Sequence, residues 1–196
     1  MKKKARLSVN IPTIEEVENE KKRLRHRANY RKTLRGTIAV LIVVAAVSVL
    51  VATLWMPVLQ IYGKSMNPTL ENGQIVVSVK TNDLKTGEVV AFWQGNKLLV
   101  KRVIAGPGQW VDISADGTVS VDGEELTEDY LDEKSLGHCD IELPHQVEES
   151  HWFLMGDNRE ASVDSRTETI GDISKDQIEG KIVFRIWPIN KFGSIQ

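Results

Sequence analysis

The stretch Gly63-Lys64-Ser65-Met66-Asn67-Pro68-Thr69-Leu70 places a serine hydroxyl a few residues beyond a long uncharged apolar run. By itself, a serine between glycine and proline reads as a turn residue. It becomes a nucleophile only beside a base, because a neutral hydroxyl attacks poorly. None of the four histidines sits in a context that suggests this partner. Lysine serves if its amine is neutral, which requires lowering a pKa normally near ~10.4. Burial among apolar groups disfavours the ammonium and has that effect. Lys101 follows Leu98-Leu99-Val100, so pairing of this strand inside a sheet would desolvate it, whereas a free strand end would leave it in water. A third polar stretch, Gly156-Asp157-Asn158-Arg159-Glu160-Ala161-Ser162-Val163-Asp164-Ser165-Arg166, comes directly after the apolar run 152–155.

The elements that must position these groups follow from charge and pattern. The formal net charge of −2 hides an asymmetry: residues 1–36 carry +8 and residues 37–196 carry −10. The two parts are expected to face different compartments or surfaces. Residues 1–36 read as a basic cytoplasmic tail, flexible at first and charged over 15–32, where a solvated helix competes with disorder. Residues 37–59 hold no charge; as a helix they would reach about 35 Å, enough to span a bilayer core. A cleaved leader would have a shorter apolar core of about 7–15 residues ending in a small-residue cut site. This run continues into Trp55, Met56 and Pro57 and is read as an uncleaved transmembrane helix. Arginines and lysines crowd its N-terminal side, which keeps that side cytoplasmic and sends the rest outside, with Trp55 at the outer interface. A nucleic-acid partner for the basic tail is not expected, since the membrane accounts for it.

Residues 60–196 read as an extracytoplasmic β domain. Strands are predicted over 74–79, 88–93, 97–104, 110–113, 119–121, 152–155 and 181–187, rich in Val, Ile and aromatics and separated by Gly, Asn and Asp. Asp122-Gly123 marks a hairpin. The fold class is mainly β, antiparallel, of Greek-key or barrel type, with one N-terminal transmembrane helix. Residues 123–150 read as a variable acidic insert. A single cysteine, Cys139, rules out a disulfide within the chain. His138, Cys139, His145 and His151 fit no zinc-ligand spacing and are read as solvated loop, with no metal expected.

The three stretches together resemble the bacterial type I signal peptidases, in the pattern of members with one membrane span. The resemblance covers about residues 37–112 and 151–190, and three motifs in this order are highly specific. It implies Ser65 as nucleophile, Lys101 as general base and Ser162 as the hydroxyl that orients the lysine amine. Gly156 is where the family keeps a side chain away from that amine. Asp157, Arg159, Asp164 and Arg166, with Asn158 and Arg102, look like the framework behind the site. Ile61, Gly63, Met66, Leu70, Leu99 and Val100 match positions that bind substrate, which would lie extended between residues 60–63 and 98–100. Two departures stand out: Gly63 lacks the serine hydroxyl that some members offer the oxyanion, and Ala161 stands where asparagine is frequent.

The resemblance implies a membrane-bound endopeptidase of the bacterial plasma membrane that needs no cofactor. It would remove signal peptides from exported preproteins after Ala-x-Ala-like sites, near the secretion translocon and against the lipid bilayer. Location supports this, since six extended residues reach at most about 20 Å from the span to Ser65. An assembly module that has lost a catalytic residue is disfavoured by the presence of Ser65, Lys101 and Ser162 together. A self-cleaving cytosolic repressor is excluded by the apolar span.

Overall fold

The computed structural model describes residues 13–81 and 83–195, and not the side chains of residues 28, 52, 53 and 55. The expectations for residues 1–12 and for the Trp55 side chain therefore fall outside the described residues. The chain divides into two units, residues 1–51 and 52–196.

The first unit is helical. Helix α1 (Ile14–Trp55) runs through both the charged and the apolar segments. Thr13 Oγ1 and the Glu16 carboxylate exchange hydrogen bonds with main-chain amides at its start, which satisfies donors that a helix leaves unpaired. It is the one described helix long and apolar enough to cross a membrane. The apolar run 37–59, expected as one helix, is divided. The helix stops at Trp55, and β1 (Val58–Gln60) already belongs to a sheet. Pro57 explains the break, because it has no amide hydrogen and keeps the residue before it out of the helical region. The uncharged helical part, residues 37–55, still reaches about 28 Å, close to the thickness of a hydrocarbon core.

The second unit is built from strands. After β1 come β2 (Ile75–Val79), β3 (Val89–Gln94), β4 (Lys97–Ala105), β5 (Trp110–Ile113), β6 (Val119–Val121) and β7 (Glu124–Glu125). They are followed by β8 (His145–Gln146), β9 (His151–Met155), β10 (Ile173–Ser174), β11 (Ile178–Trp187) and β12 (Gly193–Ser194). One sheet has the order β1-β2-β11-β3-β4-β9-β10, with β12 added on β11; the other has the order β7-β6-β5-β8. Every pairing is antiparallel. Neither sheet closes into a barrel. The Asp122-Gly123 turn joins β6 to β7 with both residues at positive φ, the geometry that a two-residue hairpin requires.

Three apolar clusters hold the unit. One joins the two sheets through Ile104, Val111, Val119, Phe153 and Met155. The others include Val89 and Ala91 in one case, Val90 and Phe92 in the other. This alternation along β3 is what a strand buried on both faces produces. The acidic segment 123–150 is not the solvated insert that its composition suggests. Leu126, Leu136, Ile141 and Leu143 pack against the first cluster, and Glu128 is buried.

Candidate active site

Two free strand edges define a cleft. β3 pairs with β4 from Lys97 to Arg102, but on the other side of β4 the partner β9 begins only at Arg102. Residues 97–101 thus have one unpaired edge. Among the described residues, β1 is the end strand of its sheet and pairs only with β2. Residues 58–63, Ser65, Met66 and residues 98–101 line one cleft of about 340 Å3. Ser65 and Lys101, remote in sequence, share it.

Lys101 is 4% exposed. Burial pushes its ammonium down from an ordinary 10.5 to about 8; the charges of Asp164 and Asp157 oppose that, and Arg166 assists it. Both carboxylates are already committed. Asp157 takes two hydrogen bonds from Arg102, at 2.9 and 2.7 Å. Asp164 takes Arg166 Nε at 2.8 Å and a second guanidinium nitrogen at 2.9 Å. Burial works against ionisation of Asp164, yet Arg166 and the Gly156 N–H hold its carboxyl below the usual range. With each acid neutralised by an arginine, desolvation decides the state of the lysine.

Ser65 is fixed by its own main chain. Its carbonyl accepts the Asn158 N–H at 3.1 Å, which holds the serine turn against the segment after β9. Gly156 makes the approach possible. A Cβ there would stand 2.5 Å from the Ser65 carbonyl oxygen and 2.2 Å from Ser162 Oγ. The expectation that this glycine spares the lysine amine thus gains a different geometry: the glycine lets two serines close on one point. Ser162 is 2% exposed. Its hydroxyl lies near enough to help hold Asp164 low, yet among the described residues it meets no partner at hydrogen-bond geometry.

The oxyanion donors sort themselves by prior engagement. The Gly63 N–H is taken by Asn72 Oδ1 at 3.0 Å. Among the described residues, the Ser65 N–H donates to no acceptor in the chain. Gly63 holds a positive φ of 91°, a conformation that suits glycine.

Of the expected substrate-binding residues, Ile61, Gly63, Met66, Leu99 and Val100 line the cleft. Leu70 does not; it is fully buried in the apolar cluster that also holds Ile61 and Met66. Asn158 caps the local turn through Oδ1, which accepts the Ala161 N–H at 3.1 Å. Among the described residues, no three His, Cys, Asp or Glu side chains converge as a metal site. His145 instead contacts Asp172 at 3.0 Å and the Phe153 ring.

Sequence reasoning missed three supporting residues. Thr69 bridges Arg102 and Asp157 through its hydroxyl. Glu128 makes a buried ion pair with Arg159. Tyr130 donates to Glu128 at 2.6 Å and lies 3.8 Å under the Arg102 guanidinium, a favourable cation–π geometry. The Arg166 guanidinium also donates to the Leu136 carbonyl at 2.6 Å. The acidic segment is therefore bound to three of the site's arginines. Tyr130 beside Leu131 was the available signal, an apolar pair inside a charged stretch.

Residues 33–187 match the family model described as signal peptidase, peptidase S26. The chain belongs to this family. It is similar to signal peptidase IB of Staphylococcus aureus (strain COL), 38% identical over 152 residues, which cover 67% of this chain and 78% of the relative. It is also similar to signal peptidase I of Bacillus licheniformis, 34% identical over 177 residues, covering 83% and 94%. A solved signal peptidase I from Enterococcus faecalis V583 aligns at 26% identity with a TM-score of 0.42, covering 50% of this chain and 96% of that one. The chain is thus a serine endopeptidase of the signal peptidase family, whose substrates are signal peptides, and the apolar part of α1 fits a membrane anchor.

Proposed function

We propose that this peptidase cuts signal peptides with Ser65 as nucleophile and Lys101 as general base. The observation that carries the reading is the shared cleft, which is lined by both Ser65 and a buried lysine whose pKa burial lowers to about 8. Ser65 Oγ attacks the scissile carbonyl as its proton passes to Lys101 Nζ. The developing oxyanion meets the unengaged Ser65 N–H. Lys101 returns the proton to the leaving amine as the C–N bond breaks, and then activates the water that hydrolyses the acyl-enzyme. Ser162, whose hydroxyl lacks a partner, orients the amine. Arg102, Asp157, Arg159, Asp164 and Arg166 do no chemistry and hold geometry.

The preprotein lies extended between the free edges of β1 and β4 and adds a strand to the sheet. Ile61, Met66, Leu99 and Val100 form shallow pockets that select small side chains, alanine above all, at the first and third positions before the cut. Residues 1–36 stay in the cytoplasm, the apolar part of α1 crosses the bilayer once, and the β domain works outside, where chains leave the translocon.

The test is cleavage of a preprotein bearing an Ala-x-Ala site, with the full chain in neutral detergent or liposomes. Wild type is compared with Ser65→Ala and Lys101→Ala, each checked for folding by circular dichroism. Loss of cleavage in both, with EDTA harmless, is the expected result. A folded wild type that never cuts, or a Ser65→Ala protein that still does, overturns the reading.

A further inference from the structure

Residues 64–70 are tied together by their own main chain. The Asn67 N–H donates to the Lys64 carbonyl at 3.1 Å, and the Leu70 N–H to the Met66 carbonyl at 2.8 Å. Leu70 is fully buried. A stretch bonded to itself in this way moves as a unit, so whatever fixes Thr69 also fixes Ser65.

Three anchors hold the stretch. The Ser65 carbonyl accepts the Asn158 N–H at 3.1 Å. The Thr69 hydroxyl donates to Asp157 at 2.5 Å and accepts from Arg102 at 3.1 Å. The third anchor lies outside the three motif stretches. Pairing of β11 with β2 sets Arg185 opposite Val76. From there one guanidinium nitrogen donates to the Thr69 carbonyl and to Gln74 Oε1, each at 3.0 Å. Its Nε donates to the Lys191 carbonyl at 2.8 Å. Arg185 is half-buried and makes no salt bridge among the described residues. The nearby Glu71 carboxylate takes Lys191 instead, at 2.6 Å. A guanidinium whose donors go to neutral oxygens on separate segments contributes direction through its rigid planar fork.

We propose that Arg185 is a positioning residue for the nucleophile, acting through the Thr69 carbonyl and the Gln74 side chain to set where Ser65 stands relative to Lys101. The inference rests on Ser65 as nucleophile. It acts on the chemical step and not on substrate affinity, because the cleft wall has its own fixings. The Ile61 N–H donates to the Gln74 carbonyl, the Gly73 N–H donates to the Ile61 carbonyl, and β1 pairs with β2. Lys101 is held by the β3–β4 ladder, which does not involve Arg185.

The experiment measures kcat and KM separately, from pH 6 to 10, on an Ala-x-Ala peptide with the full chain in neutral detergent. Wild type is compared with Arg185→Ala, Arg185→Lys and Ser65→Ala, each checked for folding by circular dichroism. Both Arg185 variants are expected to lose about 100-fold in kcat, the cost of a misplacement of about 1 Å. KM should stay within about twofold, since uniform binding is untouched. Lysine keeps the charge but cannot reproduce the fork, so it should not rescue. Added guanidinium ion should restore part of kcat in Arg185→Ala, and the pH inflection should stay where wild type has it. Arg185→Lys keeps the charge and the stem, and carries the test if the alanine variant does not fold. A folded Arg185 variant with the parent kcat overturns the inference. So does a loss carried by KM, an inflection that moves with the substitution, or a folded Arg185→Ala that guanidinium leaves unchanged. If Ser65→Ala cuts like the parent, the nucleophile assignment fails and takes this inference with it.

Discussion

Gly156 and Ser162 are packed so closely that a Cβ on the first would lie 2.2 Å from the hydroxyl of the second. The same Cβ would also meet the Ser65 carbonyl oxygen at 2.5 Å. Main-chain atoms cannot turn aside as a flexible side chain can. Gly156→Ala is expected to lower kcat at least about 100-fold, the cost of displacing reacting groups by about 1 Å. Removing the hydroxyl as well, in Gly156→Ala/Ser162→Ala, should not restore activity, because the contact with Ser65 remains. Initial rates on an Ala-x-Ala substrate check both variants.

The rate should climb with pH in a definite window. As the proposed base, Lys101 would act only as the neutral amine, and burial sets its pKa at about 8. Below that value kcat/KM is expected to rise about tenfold per pH unit, then level above it. Initial rates from pH 6 to 10 on one peptide read the inflection directly.

Stability carries the opposite side of the same shift. The folded value for Lys101 lies below the ordinary 10.5, so between about pH 8 and 10.5 the unfolded chain binds more protons and stability rises with pH. Below pH 8 the full penalty stands, on the order of 3 kcal/mol. Lys101→Met should therefore be more stable than the parent at pH 7 by roughly 1–3 kcal/mol, with the gap closing near pH 10.5. Urea denaturation in detergent at the two pH values measures it.

Glu128 and Glu125 lie close in sequence and should behave very differently. Glu128 pairs with Arg159 where both side chains are at most 1% exposed, whereas Glu125 meets Lys134 in solvent. Glu128→Gln leaves a buried guanidinium without its counter-charge and is expected to cost about 3–5 kcal/mol, with loss of activity. Glu125→Gln should cost less than about 1 kcal/mol. Denaturation midpoints with peptidase assays separate the two outcomes.

Much of this molecule was legible in its residues because the signals are local. Strand positions follow from alternating β-branched runs, and β5 and β6 end where Gly, Asn and Asp punctuation predicted. The Asp122-Gly123 hairpin follows from positive φ at both positions. The uncharged run after Gly36 announces a helix of membrane length. The Ser65, Lys101 and Gly156–Arg166 stretches identify the family by residue type and order.

What the residues alone could not supply depends on atoms distant in sequence. Pro57 stops the helix, but only pairing with β2 turns residues 58–60 into a cleft wall. Lys101 reads equally as solvated or buried until β9 ends at Arg102 and leaves one edge open beside it. Its lowered pKa further requires that Arg102 and Arg166 take the acids that would otherwise hold its proton. The acidic segment reads as dispensable loop by composition, because nothing local shows that Glu128 and Tyr130 will close over two arginines. Local patterns fix elements and residue types; pairing of buried charges and the meeting of strand edges are fixed only when the chain is folded.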